Sequence, residues 1–254
     1  MEFKNFDLDY SLEGKVCVIT GAAQGIGKSI AELFSKKGAI IAAVDLSADV
    51  YMMVEALGKP AHGIVGDITG KETPAGIIAE AVKLFGKIDV LVNCAGIGPL
   101  GPAELYAEEL WDRTMAVNLK APFRLSQEAA KVMIEAGQGG RIINLASQAG
   151  IVAIDEHIAY STSKAGMIGM TKSMAYEWGK YGITVNAVSP TVTMTEMGTA
   201  HWHGAIAEAA IAQTPIGRFC QPVEVAGLCV YLASDASGMV TGANFVIDGG
   251  YTIH

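Results

Sequence analysis

The chain has 254 residues, 51% of them apolar and 17% charged, and carries a formal net charge of -8. That length and apolar content suffice to bury one large core, and they fit a single α/β domain over residues 1–254 better than two small ones. The acidic balance and the lack of any basic run argue against nucleic acid or an anionic membrane as partner and leave a small molecule as the expected one.

Four cysteines, at positions 17, 94, 220 and 229, form no C-x-x-C pair, and two sit inside apolar strand or helix patterns. They are expected to be reduced core residues of a cytoplasmic protein. The first seven residues are polar and acidic, unlike a signal peptide, and no apolar run reaches membrane-spanning length.

After a short tail to about Leu12, Val16-Cys-Val-Ile-Thr20 is an apolar run bounded by glycines, which predicts a fully buried parallel strand. It runs into Gly21-Ala-Ala-Gln24-Gly25-Ile26-Gly27 and then a helix whose apolar positions Ile26, Ile30, Leu33 and Phe34 fall at helical spacing. The helix stops at Gly38, and a second buried strand over 39–44 ends in Asp45. The alternation continues with helix 49–57, strand 63–66 ending at Asp67, helix 73–85, strand 88–93, helices within 107–136 and strand 141–147. Helix 159–181, strand 183–188, helix 223–234 and strand 244–247 complete it. Such repetition predicts one doubly wound parallel sheet with helices on both faces. Ligands of these sheets sit beyond the C-terminal strand ends, where this chain places Gly21, Asp45, Asp67, Asn93, Ser147 and Pro190.

Glycines 21, 25 and 27 let the backbone approach a pyrophosphate and aim helix amides at it. Asp45 is placed to accept hydrogen bonds from an adenosine ribose diol, and its charge would repel a 2'-phosphate, so NAD is expected rather than NADP. A helix N-cap is the structural alternative for Asp45. Asp67 could bond the adenine amine, although Thr69 and Gly70 after it also make a good turn.

Ser147 closes the run Arg141-Ile-Ile-Asn-Leu-Ala-Ser147, at the tip of a buried strand. Tyr160 and Lys164 lie four apart on the following helix, so the ammonium can stand near the phenol and favour its ionised form. A second Tyr-x3-Lys, Tyr176 to Lys180, lies sixteen residues on. That distance turns the helix about 160° beyond whole turns, so Tyr176 faces away and sits at the wrong end.

Together, Thr20-Gly21-x3-Gly25-x-Gly27, Asn93-Cys94-Ala95-Gly96, Asn118, Ser147 and Tyr160-x3-Lys164 resemble the short-chain dehydrogenase/reductase family. The resemblance covers the chain as far as Asp248-Gly249-Gly250. It implies a seven-stranded Rossmann sheet and a homotetramer. It implies Tyr160 as acid/base, Lys164 as the group that lowers the phenol pKa and holds the nicotinamide ribose, Ser147 as the orienter of the substrate oxygen, and Asn118 as the anchor of a water relay. The implied cofactor contacts are Gly21, Gln24, Gly25, Ile26, Gly27, Asp45, Asp67, Ile68, Asn93, Ala95, Gly96, Tyr160, Lys164, Pro190, Val192 and Thr195. Cys94 replaces a more usual asparagine, and Thr191 follows Pro190 where many members have glycine.

The stretch from Ser189 to Trp202 looks like that of the L-xylulose (dicarbonyl) reductase branch and its bacterial polyol dehydrogenase relatives, as do Gln148 and His157. A polyol needs neutral donors and acceptors around one reacting carbon, which Ser147, Gln148, His157 and the Trp202 indole could supply. Each has a plainer alternative: His157 as an exposed loop residue, Trp202 as an anchor for a lid in the substrate loop at about 191–214. His201 and His203 read as a solvated loop without metal, Glu156 as surface, and Met167, Met170 and Met174 as core or subunit contact. The expected activity is NAD-dependent interconversion of a short sugar alcohol and its ketose. A 3-ketoacyl-thioester reductase and a non-catalytic dinucleotide-binding scaffold are the alternatives.

Overall fold

The computed structural model describes residues 8–58 and 60–253. Its strands are β1 (Val16–Thr20), β2 (Ile40–Asp45), β3 (Ala61–Val65), β4 (Val90–Asn93), β5 (Gly140–Leu145), β6 (Ile183–Pro190) and β7 (Asn244–Ile247). They form one seven-stranded sheet, order β3-β2-β1-β4-β5-β6-β7, and every neighbouring pair is parallel. The helices between them are α1 (Gly25–Lys36), α2 (Asp49–Leu57), α3 (Thr73–Phe85), α4 (Glu108–Met115), α5 (Ala121–Ala136), α6 (Ile158–Trp178), α7 (Glu196–His201), α8 (Gly204–Ala212) and α9 (Pro222–Ala233). The expected Rossmann architecture is therefore present.

Strands β1 and β4 are buried along their whole length, which is why their sequences are apolar on both faces. On one side of the sheet α1 and α9 pack Ile30, Phe34, Val225 and Leu232 against Ile19 and Ile143. On the other, α3, α5 and α6 pack Ile77, Leu125, Met133 and Met174 against Val18, Leu91 and Ile142. A fully buried side chain of the size of Phe34 contributes roughly 1.5–3 kcal/mol relative to exposure. The chain winds outward in opposite directions from β1 and β4, so a crevice opens where their C-terminal ends part.

Several boundaries differ from expectation. Strand β3 lies earlier than 63–66, because Ala61 already pairs with Ile41 and Val65 with Asp45. Strand β4 starts at Val90; Asp89, just before it, still bonds Val16 and Arg141 through its backbone, and its carboxylate accepts the Val16 amide at 2.7 Å. Strand β6 runs on to Pro190, held by its pairing with β7. The stretch 107–136 is helical but broken in register by a π turn, Ala116–Lys120. The expected substrate loop contains α7 and α8. Leu12, at the end of the expected tail, is fully buried and its amide donates to the Lys37 carbonyl, whereas residues 1–7 of that tail lie outside the described residues. Among the described residues no helix is long and apolar enough to cross a membrane. The four cysteines are free thiols, with Cys17, Cys220 and Cys229 buried.

Candidate active site

Beyond the C-terminal strand ends lies a cavity of about 710 Å³. The turn after β1 forms its floor. Gly21 takes φ +68° and Gly25 φ +57°, and a Cβ on Gly27 would stand 2.1 Å from the Gly21 carbonyl oxygen, so only glycine fits. Helix α1 begins there with Gln24 at its N-cap making no side-chain cap and with no acidic residue in its first turn. Its amides and dipole are free to meet an anion. Thr20 ties this turn to the next strand, its hydroxyl accepting the Cys94 and Ala95 amides at 3.1 and 3.2 Å.

Asp45, at the tip of β2, accepts the Ala23 amide at 2.9 Å and the Ser47 amide at 3.0 Å. Helix α2 starts at Asp49 with Ala48 at its N-cap, so the capping alternative for Asp45 does not apply. Asp67 accepts both the amide and hydroxyl of Thr69, at 2.9 and 2.7 Å. Those bonds, with the Arg113 guanidinium beyond them, hold its carboxyl below the usual range. The glycine-lined floor, the open helix terminus and a carboxylate at the second strand tip fit a nicotinamide dinucleotide.

The opposite wall carries the proton-transfer groups. Ser147 sits just beyond β5, its hydroxyl accepting the Ala149 amide at 3.1 Å and hydrogen-bonding Tyr160. Tyr160 projects from the first turn of α6 and packs its ring close to Gly98, where a Cβ would come within 3.3 Å. Lys164, one turn on, is buried; its Nζ lies 5.6 Å from the Tyr160 ring centre and donates to the Leu145 carbonyl at 2.6 Å. Burial lowers the Lys164 pKa to about 8 and raises that of Tyr160, with the Ser147 hydrogen bond acting against the rise. The Lys164 ammonium thus stands beside the phenol ring while giving its hydrogen bond to the strand tip. Cys94, pushed up to about 12 by burial, is a neutral thiol at neutral pH and adds no charge.

Asn118 and Asn93 do not line the cavity. Asn118, in the π turn, spends its side chain on the Ile97 peptide, accepting the amide at 2.9 Å and donating to the carbonyl at 2.8 Å, with a further bond to Ser163. It thereby fixes the strand-end turn that carries Gly96 and Gly98. The Asn93 side chain points into the protein and donates to Ser126 and Asn144, because the strand's alternation turns it from the crevice. The other expected cofactor residues all line the cavity, from Gly21 through Ile68, Ala95, Pro190 and Val192 to Thr195. The competing Tyr176 is 91% exposed, and Lys180 lies over the Tyr181 ring instead.

At the mouth, Gln148, His157 and Trp202 line the same cavity as Ser147 and Tyr160. His157 is buried, not an exposed loop residue, and its ring centre lies 6.0 Å from that of Tyr160. Trp202 packs edge-on against Phe219 at 6.5 Å while facing His157 at 6.4 Å, so it anchors its segment and walls the cavity at once. The reading of His201 as solvated loop is corrected: helix α7 carries its ring to 5.9 Å from His157 and onto the cavity wall. Arg113 is a second wall residue that sequence reasoning missed. His201 had no signal beyond being a polar residue between apolar ones, and Arg113, between Asp112 and Thr114, had none.

A dinucleotide floor facing a serine, a tyrosine and a buried lysine defines a nucleotide-dependent oxidoreductase acting on an alcohol or carbonyl. Residues 21–252 match the family model described as enoyl-(acyl carrier protein) reductase. An NAD-dependent glycerol dehydrogenase of Listeria innocua is 48% identical over 255 residues, spanning 100% of both chains. A D-threitol dehydrogenase of Mycolicibacterium smegmatis is 47% identical over 97% of this chain and 96% of its own. The crystal structure of gox2181 superposes with a TM-score of 0.94 at 33% identity, covering 97% of this chain and 98% of that one. The chain belongs to the short-chain dehydrogenase/reductase family and is an oxidoreductase acting on CH–OH groups.

Proposed function

We propose that this protein interconverts a short sugar alcohol and its ketose with NAD, using Tyr160 to move the proton. One observation carries the reading: the Ser147, Tyr160 and Lys164 group shares its cavity with the polar side chains of Gln148, His157 and Trp202, and the Gln148 Oε1 is buried without a protein partner. A buried, unsatisfied acceptor costs about 1–3 kcal/mol, and a substrate hydroxyl would recover it. Of the charged residues that line the cavity, Arg113 acts on Asp67, a cofactor-side residue, while Gln148, His157 and Trp202 stand with Tyr160. The glycerol and D-threitol activities in the relatives' names support the same class.

NAD, when bound, supplies the hydride chemistry at its nicotinamide ring. Gly21, Gly25, Gly27 and the start of α1 would hold its pyrophosphate, and Asp45 its adenosine ribose. Ser147 orients the reacting oxygen by hydrogen bonding. Tyr160 as phenolate takes the alcohol proton, and as phenol returns one to the ketose oxygen. Burial disfavours that phenolate, and the Lys164 ammonium, 5.6 Å from the ring, is the positive charge available to offset it. Asn118 keeps the Ile97 turn in place beneath both. The family's homotetramer is the accompanying expectation for assembly; the groove between α5 and α6, lined by Phe123, Met170 and Trp178, offers a surface for it.

The test follows NADH absorbance with tetritols, pentitols and hexitols beside an acetoacetyl thioester. Turnover of a polyol that disappears in Tyr160→Phe supports the reading; turnover of the thioester alone sinks it.

A further inference from the structure

Helix α6 carries Tyr160 and Lys164, and polar bonds set its place on the sheet. Of the seven residues it buries, Ser163, Lys164 and Thr171 are polar. Apolar contact is not directional, whereas a hydrogen bond fixes both distance and angle, so these polar residues limit how far the helix can slide or turn. Ser163 accepts from Asn118 Nδ2 at 3.1 Å, and Lys164 donates to the Leu145 carbonyl at 2.6 Å. Thr171 accepts from Asn144 Nδ2 at 2.9 Å and donates to the Met167 carbonyl at 2.8 Å. The Asn144 Oδ1 in turn accepts from Asn93 Nδ2 at 2.8 Å. The chain from Asn93 through Asn144 and Thr171 to Met167 thus runs donor to acceptor throughout, and its three side chains are buried.

Three positions at the end of β5 therefore bond three positions of α6: Asn144 to Thr171, Leu145 to Lys164 and Ser147 to Tyr160. Lys164 and Thr171 are seven residues apart, which is two turns less about 20°, so they lie on one face about 10 Å from each other along the axis. Resting on the reading that Tyr160 moves the proton, we infer that Asn144 and Thr171 are positioning residues: their bond locks α6 against β5, and so keeps Tyr160 on Ser147 and Lys164 on the Leu145 carbonyl. Neither residue lines the cavity; both act through the helix. With the lock cut, α6 can turn or slide against the strand, and the two bonds nearer the cavity lose their alignment together.

The test compares Thr171→Val, which keeps the shape without the hydroxyl, with Thr171→Ser, which keeps the hydroxyl, and runs Tyr160→Phe beside them. NADH binding followed by fluorescence shows that each variant is folded; should Thr171→Val not bind, Thr171→Cys, whose sulfur is a poor acceptor, takes its place. Turnover is followed against pH with whichever substrate of the panel above reacts fastest. Thr171→Val is expected to lose about 10-fold in kcat, the effect of a small misplacement of the reacting groups, while the substrate KM stays within about threefold. The limb of the pH profile that belongs to Tyr160 should move up by about half a unit, the order of one weakened hydrogen bond to the phenolate. Thr171→Ser should restore both. A hydroxyl of merely structural worth would lower the thermal midpoint and leave kcat and the limb where they are. Wild-type kcat and an unmoved limb in Thr171→Val, or Thr171→Ser as impaired as Thr171→Val, overturn the inference, while an inert Tyr160→Phe leaves the proton reading intact. Undiminished turnover in Tyr160→Phe, or no turnover of any substrate in the panel by the wild type, overturns both.

Discussion

Lys164 Nζ stands 5.6 Å from the centre of the Tyr160 ring but gives its hydrogen bond to the Leu145 carbonyl, at 2.6 Å. The ammonium is thus anchored to the strand tip and not to the phenol, and burial lowers its pKa from 10.5 to about 8. Below pH 8 both folded and unfolded chains carry the proton, and the fold bears the full cost of the buried charge. Between about 8 and 10.5 the unfolded chain holds a proton that the folded one releases, so this site's contribution to stability rises with pH. Lys164→Met keeps the shape without the charge. The stability of wild type relative to this variant should rise by up to about 3 kcal/mol between pH 7 and 10.5. Urea unfolding at a series of pH values measures it; a constant difference would show that the ammonium is not destabilised by the fold.

Tyr160→Phe removes the one hydroxyl that Ser147 and the substrate oxygen share. Turnover should fall by about 10²–10⁴-fold, the usual worth of a positioned acid/base. NADH binding, measured by fluorescence, should be retained, since the glycine floor and Asp45 lie on the other wall. Undiminished turnover would remove Tyr160 from the mechanism.

Asp45→Asn keeps the size of the side chain and removes its charge. Preference for NAD over NADP, taken as a ratio of kcat/KM, should narrow by about 10-fold or more, equal to about 1.4 kcal/mol of lost repulsion toward a 2'-phosphate. An unchanged ratio would mean that the carboxylate serves only the Ala23 and Ser47 amides.

Two glycine substitutions should act in opposite directions. Gly27→Ala drives a methyl to 2.1 Å from the Gly21 carbonyl oxygen, and should cost about 1–3 kcal/mol together with weakened NADH binding. Gly76→Ala, in α3 with open space around it, should stabilise by about 0.5–1 kcal/mol. Thermal unfolding of the pair provides the comparison.

The sheet was legible because a strand covered on both faces admits little but apolar residues, as Val16 to Thr20 shows. Tyr160 could be told from Tyr176 by rotation along one helix, a purely local quantity, and the exposure of Tyr176 agrees with it. The π turn around Asn118 was not legible, since shifting one hydrogen-bond register leaves no mark on side-chain spacing. Asn93 misled because residue type at a strand tip says nothing of which side the last side chain takes. His201 was hidden for a related reason: its neighbour His157 is far away in sequence, and only the folding of α7 over the mouth brings the rings together.

Substrate-side groups on α7 and the residues after it ride on a segment with a closed base. Val192 accepts the Cys220 amide at 3.0 Å, and Cys220 accepts the Met194 amide at 2.9 Å, so the chain leaves and rejoins the body of the protein at one clasp. The tyrosine, serine and lysine are carried elsewhere, just beyond β5 and on α6. Lengthening a loop whose ends are already pinned adds only about 0.6 kcal/mol of closure entropy per doubling. The interior of this segment is therefore an exchangeable cassette: its length and side chains can be rewritten, and with them the alcohol that is accepted, while the machinery for moving the proton stays where it is.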